Sequence, residues 1–390
     1  MRTLNIGIIG LGSVGMSVVD ILQKSQESIS RRCGVRLQVC KGVVRDLSKP
    51  RKVNFALSNQ ATDILDDPKI DIVVELIGGM QEAFEIAQQA LKKQKLFVTA
   101  NKAMLAVHYL TLQNLATKAI GFEASVGGGL PIVNVLKDGL ASSGILRLSG
   151  ILNGTSNFIL SQMEQGQSFE KALKEAQELG YAEADPTLDI SGEDSAHKLV
   201  ILSTLAFQTR PKVDFISGIE NLSNIDLEHA QSLGYRIKLL AHAQWQDHNL
   251  SLRVCPTCIP QAHFLAQVNG VMNGVAIKGD YVGETFYYGP GAGGLASASA
   301  VVSDLIALAK NPTPPPPIHP ISYTPVDFPT SYYLRLQNSN SLFCLQELGI
   351  LSYHCDKDRV ICITKPTTQE KIQALFSARQ LDCALPIYES

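Results

Sequence analysis

The first fifteen residues constrain this chain more than any other stretch. Leu4 to Ile9 is a short apolar run, and Gly10-Leu11-Gly12-Ser13-Val14-Gly15 follows at once, before a helical pattern that reaches about Lys24. An apolar run closed by glycine reads as a buried parallel strand. GxGxxG spacing is common by chance, but between a strand and a helix it has a mechanical meaning. The first glycine permits a tight turn. The second lets a pyrophosphate approach the backbone, and the helix N-terminus favours its charge. The pattern then repeats. Arg36 to Val44 and Asp71 to Ile77 read as strands, the latter ending in Gly78-Gly79, and a helix from about Ala83 to Gln94 leads to a strand at Leu96 to Thr99. Strand and helix alternate as in a Rossmann-type doubly wound parallel sheet, an α/β fold.

In such a sheet the residues just past the strand C-termini line the ligand crevice, which places Gly78, Thr99 and Lys102 there. Lys102 is a candidate to touch substrate; the bland alternative is a surface charge at a helix start, where the helix dipole disfavours it. The second strand ends in Val43-Val44-Arg45-Asp46, with Lys49, Arg51 and Lys52 close by. An acid at that place bonds the ribose hydroxyls of NAD, whereas an arginine fork suits the 2′-phosphate of NADP. Both residue types are present, and the reading leans to NADP.

The chain has 390 residues, enough for two or three domains. Its net charge of −2 gives no electrostatic case for nucleic acid or an anionic membrane. No apolar run reaches the ~18–20 residues that span a bilayer, and the N-terminus lacks a signal peptide's cleavage region, so a cytoplasmic location is expected. Of the scattered cysteines, Cys255 and Cys258 have CxxC spacing but no second pair at zinc-site spacing. They read as structural thiols rather than a metal or redox site.

A dinucleotide-binding domain is expected over 1–130, completed by about 295–311, where the glycine-rich loop Gly289 to Gly294 leads into a helix from Ala296 to Lys310. Strand-like Leu146 to Leu152, Leu250 to Ile259 and Val275 to Lys278, with helices at Phe169 to Leu179 and from Ser191, suggest an α+β catalytic and dimerisation domain over 131–300. Pro312 and Pro314 to Pro317 mark a stiff linker over 311–328. Beyond it, over 329–390, come a strand (Tyr332 to Leu336), a helix (Leu342 to Leu348), strands at Ile350 to His354 and Val360 to Thr364, a helix (Gln369 to Gln380) and a strand (Cys383 to Tyr388), a βαββαβ order.

The segment Tyr181 to Lys198 packs Glu183, Asp185, Asp189, Glu193, Asp194 and Lys198 into a short run. Ser191 can cap a helix there, with Asp194 three residues on as in a capping box. Asp194 and Lys198 share a helical face four residues apart. They are either a solvated ion pair worth a few tenths of a kcal/mol or a proton-transfer lysine beside its carboxylate. Glu123 precedes the glycine-rich turn Gly127-Gly128-Gly129, whose carbonyls can hold a small cation; the alternative is a hinge.

With these pieces in order, the chain resembles homoserine dehydrogenase. GLGSVG (10–15), VVELIGG (73–79), VTANKA (98–103), EASVGGGLP (123–131), GILNGTSNFIL (150–160), GYAEADPTLDISGEDSAHK (180–198) and GPGAG (289–293) resemble that family's motifs, in its order. The resemblance covers about residues 1–310. It implies reversible oxidation of L-homoserine to L-aspartate 4-semialdehyde with NAD or NADP, a step towards threonine, methionine and isoleucine, by a homodimer or homotetramer. It implies Lys198 as the acid/base, Lys102 as a second catalytic lysine, and Glu183 as the holder of the substrate ammonium. Tyr181, Asp189 and Asp194 would line the site. Glu123, Val126, Gly128 and Leu130 would surround a sodium ion, mostly through main-chain oxygens. The cofactor loop corresponds to Gly10, Gly12, Ser13, Val14 and Gly15, with Gly291 approaching it. Two departures stand out. Ala296-Ser297 replaces the family's Pro-Thr, which loosens that turn. The C-terminal segment resembles a shortened ACT domain, and its loop Asn338-Ser-Asn-Ser-Leu342 lacks the effector-site glycine, which argues against threonine feedback and leaves a structural or dimer-building role open. A reading of another class is a non-catalytic NAD(P)-sensing regulator, which needs the glycine loop but not Lys102, Glu183 and Lys198 together.

Overall fold

The computed structural model describes residues 1–337, 342–356, 359–376 and 381–389. The chain divides into two units. The first comprises Met1–Ala141, Thr204–Thr209 and Gly289–Ile321; the second comprises Ser142–Ser203, Arg210–Tyr288 and Ser322–Ser390.

The first unit is built on β1 (Thr3–Ile9), β2 (Arg36–Val43), β3 (Ala56–Ser58), β4 (Ile72–Glu75), β5 (Leu96–Thr99) and β6 (Ile120–Gly121). All pair in parallel, in the order β3-β2-β1-β4-β5-β6. The order reverses between β1 and β4, and ligands bind outside the strand ends at such a switch point. The helices are α1 (Ser13–Lys24), α2 (Gln26–Cys33), α3 (Thr62–Leu65), α4 (Gln81–Lys92), α5 (Lys102–Leu115) and the short α6 (Ile132–Asn134), which runs into a π-helical turn. The apolar runs that announce β1, β4 and β5 are buried because helices cover the sheet. β3 and β6 escape sequence reading because three- and two-residue strands carry no period.

The second unit contains β7 (Ile145–Ile151), α7 (Gly154–Met163), α8 (Phe169–Glu178), α9 (Thr187–Ile190), α10 (Glu193–Phe207), β8 (Phe215–Ile216), α11 (Asn224–Ser232), β9 (Tyr235–Gln246), β10 (Asn249–Pro260), β11 (Met272–Gly279) and β12 (Gly283–Pro290). β9 and β10 form a long hairpin over Asp247-His248, both in the left-handed region at φ 50° and 64°. The mixed sheet runs β12-β11-β7-β9-β10-β13, with β8 beside β10, where β13 is Thr324–Pro325. Cys255 and Cys258 are buried free thiols on β10, and burial pushes both above the ordinary thiol range.

The capping expectation at Ser191 needs correction. Gly192 adopts φ 90° and breaks the backbone between α9 and α10, so the helix begins at Glu193. Ser191 Oγ accepts from Glu193 N at 3.4 Å, and Asp194 Oδ2 turns inward to accept from Asn153 Nδ2.

The chain returns to the first unit as α12 (Gly294–Lys310). Ala298, Val301, Val302 and Leu305 join the core made by Ile6, Ile8, Val74 and Val98. The proline-rich segment is held down rather than free: Pro312 O accepts from Ala119 N at 2.9 Å, and the buried Gln113 side chain bonds both Pro316 O and Ile318 N. In the second unit β14 (Tyr332–Gln337), α13 (Leu342–Leu348), β15 (Ile350–Asp356), β16 (Arg359–Thr364), α14 (Gln369–Leu375) and β17 (Leu381–Pro386) make an antiparallel sheet in the order β15-β16-β14-β17. The helix expected to Gln380 ends at Leu375, because Phe376 is extended at φ −117°, ψ 127°. Residues 377–380, and residues 338–341 of the loop lacking a glycine, lie outside the described residues.

Candidate active site

In the first unit each glycine of the opening loop has its own mechanical reason. Gly10 has φ 102°, and a Cβ on it would meet Leu76 O at 2.5 Å. A Cβ on Gly15 would fall onto the carbonyl of Gly10, while one on Gly12 would meet nothing within 4 Å. The loop is thus closed against the sheet at its ends and open at its middle, where a phosphate can reach main chain. Ser13 begins α1, and Val14 packs against the core.

Beside the loop lies a cavity of about 420 Å³ lined by Gly10, Gly12, Arg45, Arg51, Asn59 and Gly78 among others. Two arginines therefore border it, one more than sequence reading singled out. Arg51 is braced by the carbonyls of Asp46 and Lys49 at 2.9 and 3.2 Å. Asp46 is engaged elsewhere: Oδ1 accepts from the Ser48 hydroxyl at 2.6 Å and the Ser48 N–H at 2.9 Å, and these bonds hold its carboxyl below the usual range. Thr99 closes β5 with its hydroxyl on Glu75 at 2.5 Å, and Asn101 caps α5, whose first residue is Lys102.

The glycine turn after Glu123 belongs to the same unit. Both Glu123 carboxylate oxygens accept main-chain N–H groups, from Val133 and Asn134 at 2.8 Å each, and Asp304 accepts from Glu123 N at 2.8 Å. Burial raises the Glu123 carboxyl above its ordinary range. Gly127 and Gly128 are left-handed at φ 71° and 56°, and a Cβ on Gly128 would lie 2.6 Å from the Gly291 carbonyl carbon. Gly291 is thus packed on the turn, and Gly294, three residues on, lies against Ser13 and Ser17 of α1. Ala296 and Ser297 sit inside the first turn of α12, where Ser297 N bonds Gly293 O at 3.0 Å, so the departure from Pro-Thr leaves that turn regular.

In the second unit the acidic segment folds around the end of β7. Lys198 Nζ donates to Asp194 Oδ2 and to Leu152 O, both at 2.6 Å. Asn153 Nδ2 donates to the same Asp194 oxygen at 2.9 Å and to Asp189 Oδ1 at 2.7 Å, while its Oδ1 caps α7 at Ser156 N. Asp194, Asn153 and Lys198 are 3%, 4% and 8% exposed. This excludes the solvated reading of the i,i+4 pair, because a surface pair does not sit at such depth. Tyr181 meets the start of the same helix: its carbonyl accepts from Thr155 Oγ1 at 2.7 Å, and its ring lies edge-on to Phe158. Glu183 is exposed on the connecting loop, with its carbonyl on Gln177. Sequence reading missed Asn153, the residue that joins the two aspartates; its one local signal is an asparagine at a strand end before Gly-Thr-Ser, an N-cap pattern.

A buried lysine–carboxylate pair is of a kind suited to proton transfer, and a glycine loop open at its middle on a Rossmann sheet is of a kind suited to a dinucleotide. Sequence comparison agrees with that chemistry. Residues 10–121 match the family described as homoserine dehydrogenase, NAD binding domain, and residues 131–306 match homoserine dehydrogenase. The chain is 42% identical to a homoserine dehydrogenase of Neisseria gonorrhoeae over 98% of this chain and 97% of that one. It is 51% identical to one of Helicobacter pylori over 79% and 74%. The fold is similar to the crystal structure of a homoserine dehydrogenase from Thiobacillus denitrificans, with TM-score 0.94 and 38% identity over 100% and 99% of the two chains. It is also similar to a hyperthermophilic archaeal homoserine dehydrogenase mutant in complex with NADPH, with TM-score 0.69 and 28% identity over 80% and 99%. These matches do not favour the regulator reading, and the chain belongs to the homoserine dehydrogenase family.

Proposed function

We propose that this dehydrogenase prefers NADP and that Lys198 is its acid/base. The buried Lys198–Asp194–Asn153 cluster carries the second part. Asp194 holds the ammonium at one place, and Asn153 holds Asp194, so Nζ is pre-positioned for a substrate hydroxyl. A nicotinamide dinucleotide held by Gly10, Gly12, Ser13, Val14 and Gly15 would supply the hydride acceptor for the carbinol carbon. In its neutral amine form Lys198 takes the hydroxyl proton in the oxidative direction, and the ammonium so formed returns it in the reductive one. Glu183 binds the substrate ammonium by charge, Tyr181 and Asp189 line the pocket, and Lys102 is a second catalytic lysine. The cofactor preference rests on Arg45 and Arg51 at the 420 Å³ cavity and on Asp46 being spent on Ser48.

A sodium ion fits the turn formed by Glu123, Val126, Gly128 and Leu130. The Glu123 carboxylate is committed to Val133 and Asn134, so its ligand would be the main-chain oxygen. The carbonyls of Val126, Gly128 and Leu130 accept none of the main-chain bonds of turns and loops among the described residues. Such oxygens suit a hard cation, whose service would be to stiffen the turn on which Gly291 packs. The expected division into a nucleotide-binding domain, a catalytic and dimerisation domain and an ACT-like domain, the dimeric or tetrameric state and a cytosolic setting complete the proposal; the buried free thiols suit a reducing compartment.

The test is Lys198→Ala. Loss of a positioned proton-transfer group lowers kcat by roughly 10²–10⁴-fold, while NADPH binding, followed by nucleotide fluorescence without homoserine, persists. Near-normal absorbance change at 340 nm with homoserine and NADP would remove Lys198 from the chemistry.

A further inference from the structure

Glu75 ends β4 beside the nucleotide crevice and is fully buried, with 0% exposure. No step assigned above uses it. Both of its oxygens are engaged. Oε1 accepts from Ile77 N at 2.7 Å, and Oε2 accepts from the Thr99 hydroxyl at 2.5 Å. Thr99 Oγ1 in turn accepts from Asn101 N at 3.0 Å. Asn101 Nδ2 reaches back to Gly79 O at 2.7 Å and Ile77 O at 3.4 Å, and its Oδ1 caps α5 at Met104 N. One carboxyl group thus closes a ring of bonds that joins the loop after β4, containing Gly78 and Gly79, to the turn after β5, from which Lys102 starts its helix.

We propose that Glu75 is a positioning residue that clamps these two loops in its charged form and thereby makes nucleotide engagement depend on pH. The inference rests on reading this crevice as the nucleotide site.

The bonding pattern selects the charged state. A carboxylate accepts from both Ile77 N–H and Thr99 O–H. A carboxylic acid must place a proton on one oxygen. If that proton goes to Thr99 Oγ1, which already accepts from Asn101, the threonine's own hydrogen loses its acceptor. Protonation therefore either reverses the Glu75–Thr99 bond and leaves the threonine hydrogen without its acceptor, or weakens the bond from Ile77 N, and the clamp loosens. The strands on either side set Ile9 and Thr99 opposite Glu75, neither of them titratable, and Glu82 on α4 faces it with a like charge. Burial first, and Glu82 after it, raise the carboxyl to about 7, against lowering bonds from Thr99 and Ile77. The clamp accordingly closes as pH rises through neutrality and opens below it.

The test compares wild type, Glu75→Gln and Thr99→Val by NADPH fluorescence titration from pH 6 to 8 on the apo enzyme, with the thermal midpoint measured alongside. The 2′-phosphate also titrates here, so the readout is the difference in slope between wild type and variant. Wild type should bind several-fold tighter at pH 8 than at pH 6 beyond the slope of Glu75→Gln, whose amide cannot ionise. Thr99→Val should lose the extra slope, and Thr99→Ser should restore it. A ¹³C resonance of the Glu75 carboxyl that titrates near neutrality in wild type would report the same event without ligand. Parallel slopes for wild type and a folded Glu75→Gln would overturn the proposal. Absence of any NADPH binding by folded wild type would instead refute the reading of the crevice.

Discussion

Arg45 and Arg51 are where a single residue decides selectivity. A guanidinium on a 2′-phosphate makes charge-assisted bonds worth about 1.5–3 kcal/mol, or roughly ten- to a hundredfold. Arg45→Ala should therefore raise KM for NADP by about that factor and leave KM for NAD nearly unchanged. Equal rises for both cofactors would remove the 2′-phosphate argument and return the ribose role to Asp46. Sequence reading reached Arg45 because it ends a strand, yet could not see that Asp46 is turned onto Ser48. The same limit separates Lys198 from Asn153. A four-residue spacing is visible along a helix, whereas Asn153 meets Asp189 and Asp194 from 36 and 41 residues away. Glu75 was invisible for another reason: it lies inside the run Asp71 to Ile77 read as a strand, where spacing alone does not show that its carboxyl meets Thr99 on the next strand.

The elements were legible in proportion to how cleanly they separate apolar from polar positions. β1, β5 and α8 fall close to their sequence bounds. β9 was not anticipated, because its buried stretch holds Lys238 and His242, which find partners in Asn269 and Ser149 rather than water. Burial pushes the Lys238 ammonium down to about 8. α7 was missed because it opens on Gly, Thr and Ser, weak helix formers that are kept here by packing. Gly154, its first residue, has no room for a Cβ, which would lie 2.7 Å from Val271 O. The turn at Gly127-Gly128 gives a test at this scale. Gly128→Ala demands a left-handed alanine, costing about 1–2 kcal/mol, and drives its Cβ into Gly291 at 2.6 Å. The thermal midpoint should fall by several degrees, and NADP binding should weaken with it because Gly291 is displaced. A variant that loses neither would show that the turn does not support the cofactor loop.

At the scale of the molecule, the question is whether the C-terminal βαββαβ sheet is an appendage or part of the second unit's core. The contacts within that unit favour the core. Arg335, 7% exposed, donates from Nε to Asp226 at 2.8 Å and from Nη1 to Asp382 at 2.8 Å, and Tyr333 adds its hydroxyl to Asp226 at 3.2 Å. Asp226 is also the third residue of α11 and completes its capping box, accepting from the N-cap Ser223 N and Oγ. Farther along, Tyr388 N bonds Cys258 O at 2.9 Å, and the Tyr388 ring packs with Ile151, Leu240, Leu265 and Ala276. A regulatory domain that moves on its own would not leave Tyr388 in another sheet's core. Removing Arg335 leaves Asp226 buried without its cation, a loss of about 3–5 kcal/mol. Arg335→Ala should lower the thermal midpoint sharply in one cooperative transition. Arg335→Ala with Asp226→Asn should recover part of the loss, because no uncompensated charge remains. A chain ending at Val326 should fail to accumulate as monodisperse protein, since β10 and the pocket around Tyr388 are uncovered. A truncated chain that is folded and turns over homoserine normally would establish the opposite: a detachable module, whose ion pair with Asp226 holds the two sheets together without either depending on it.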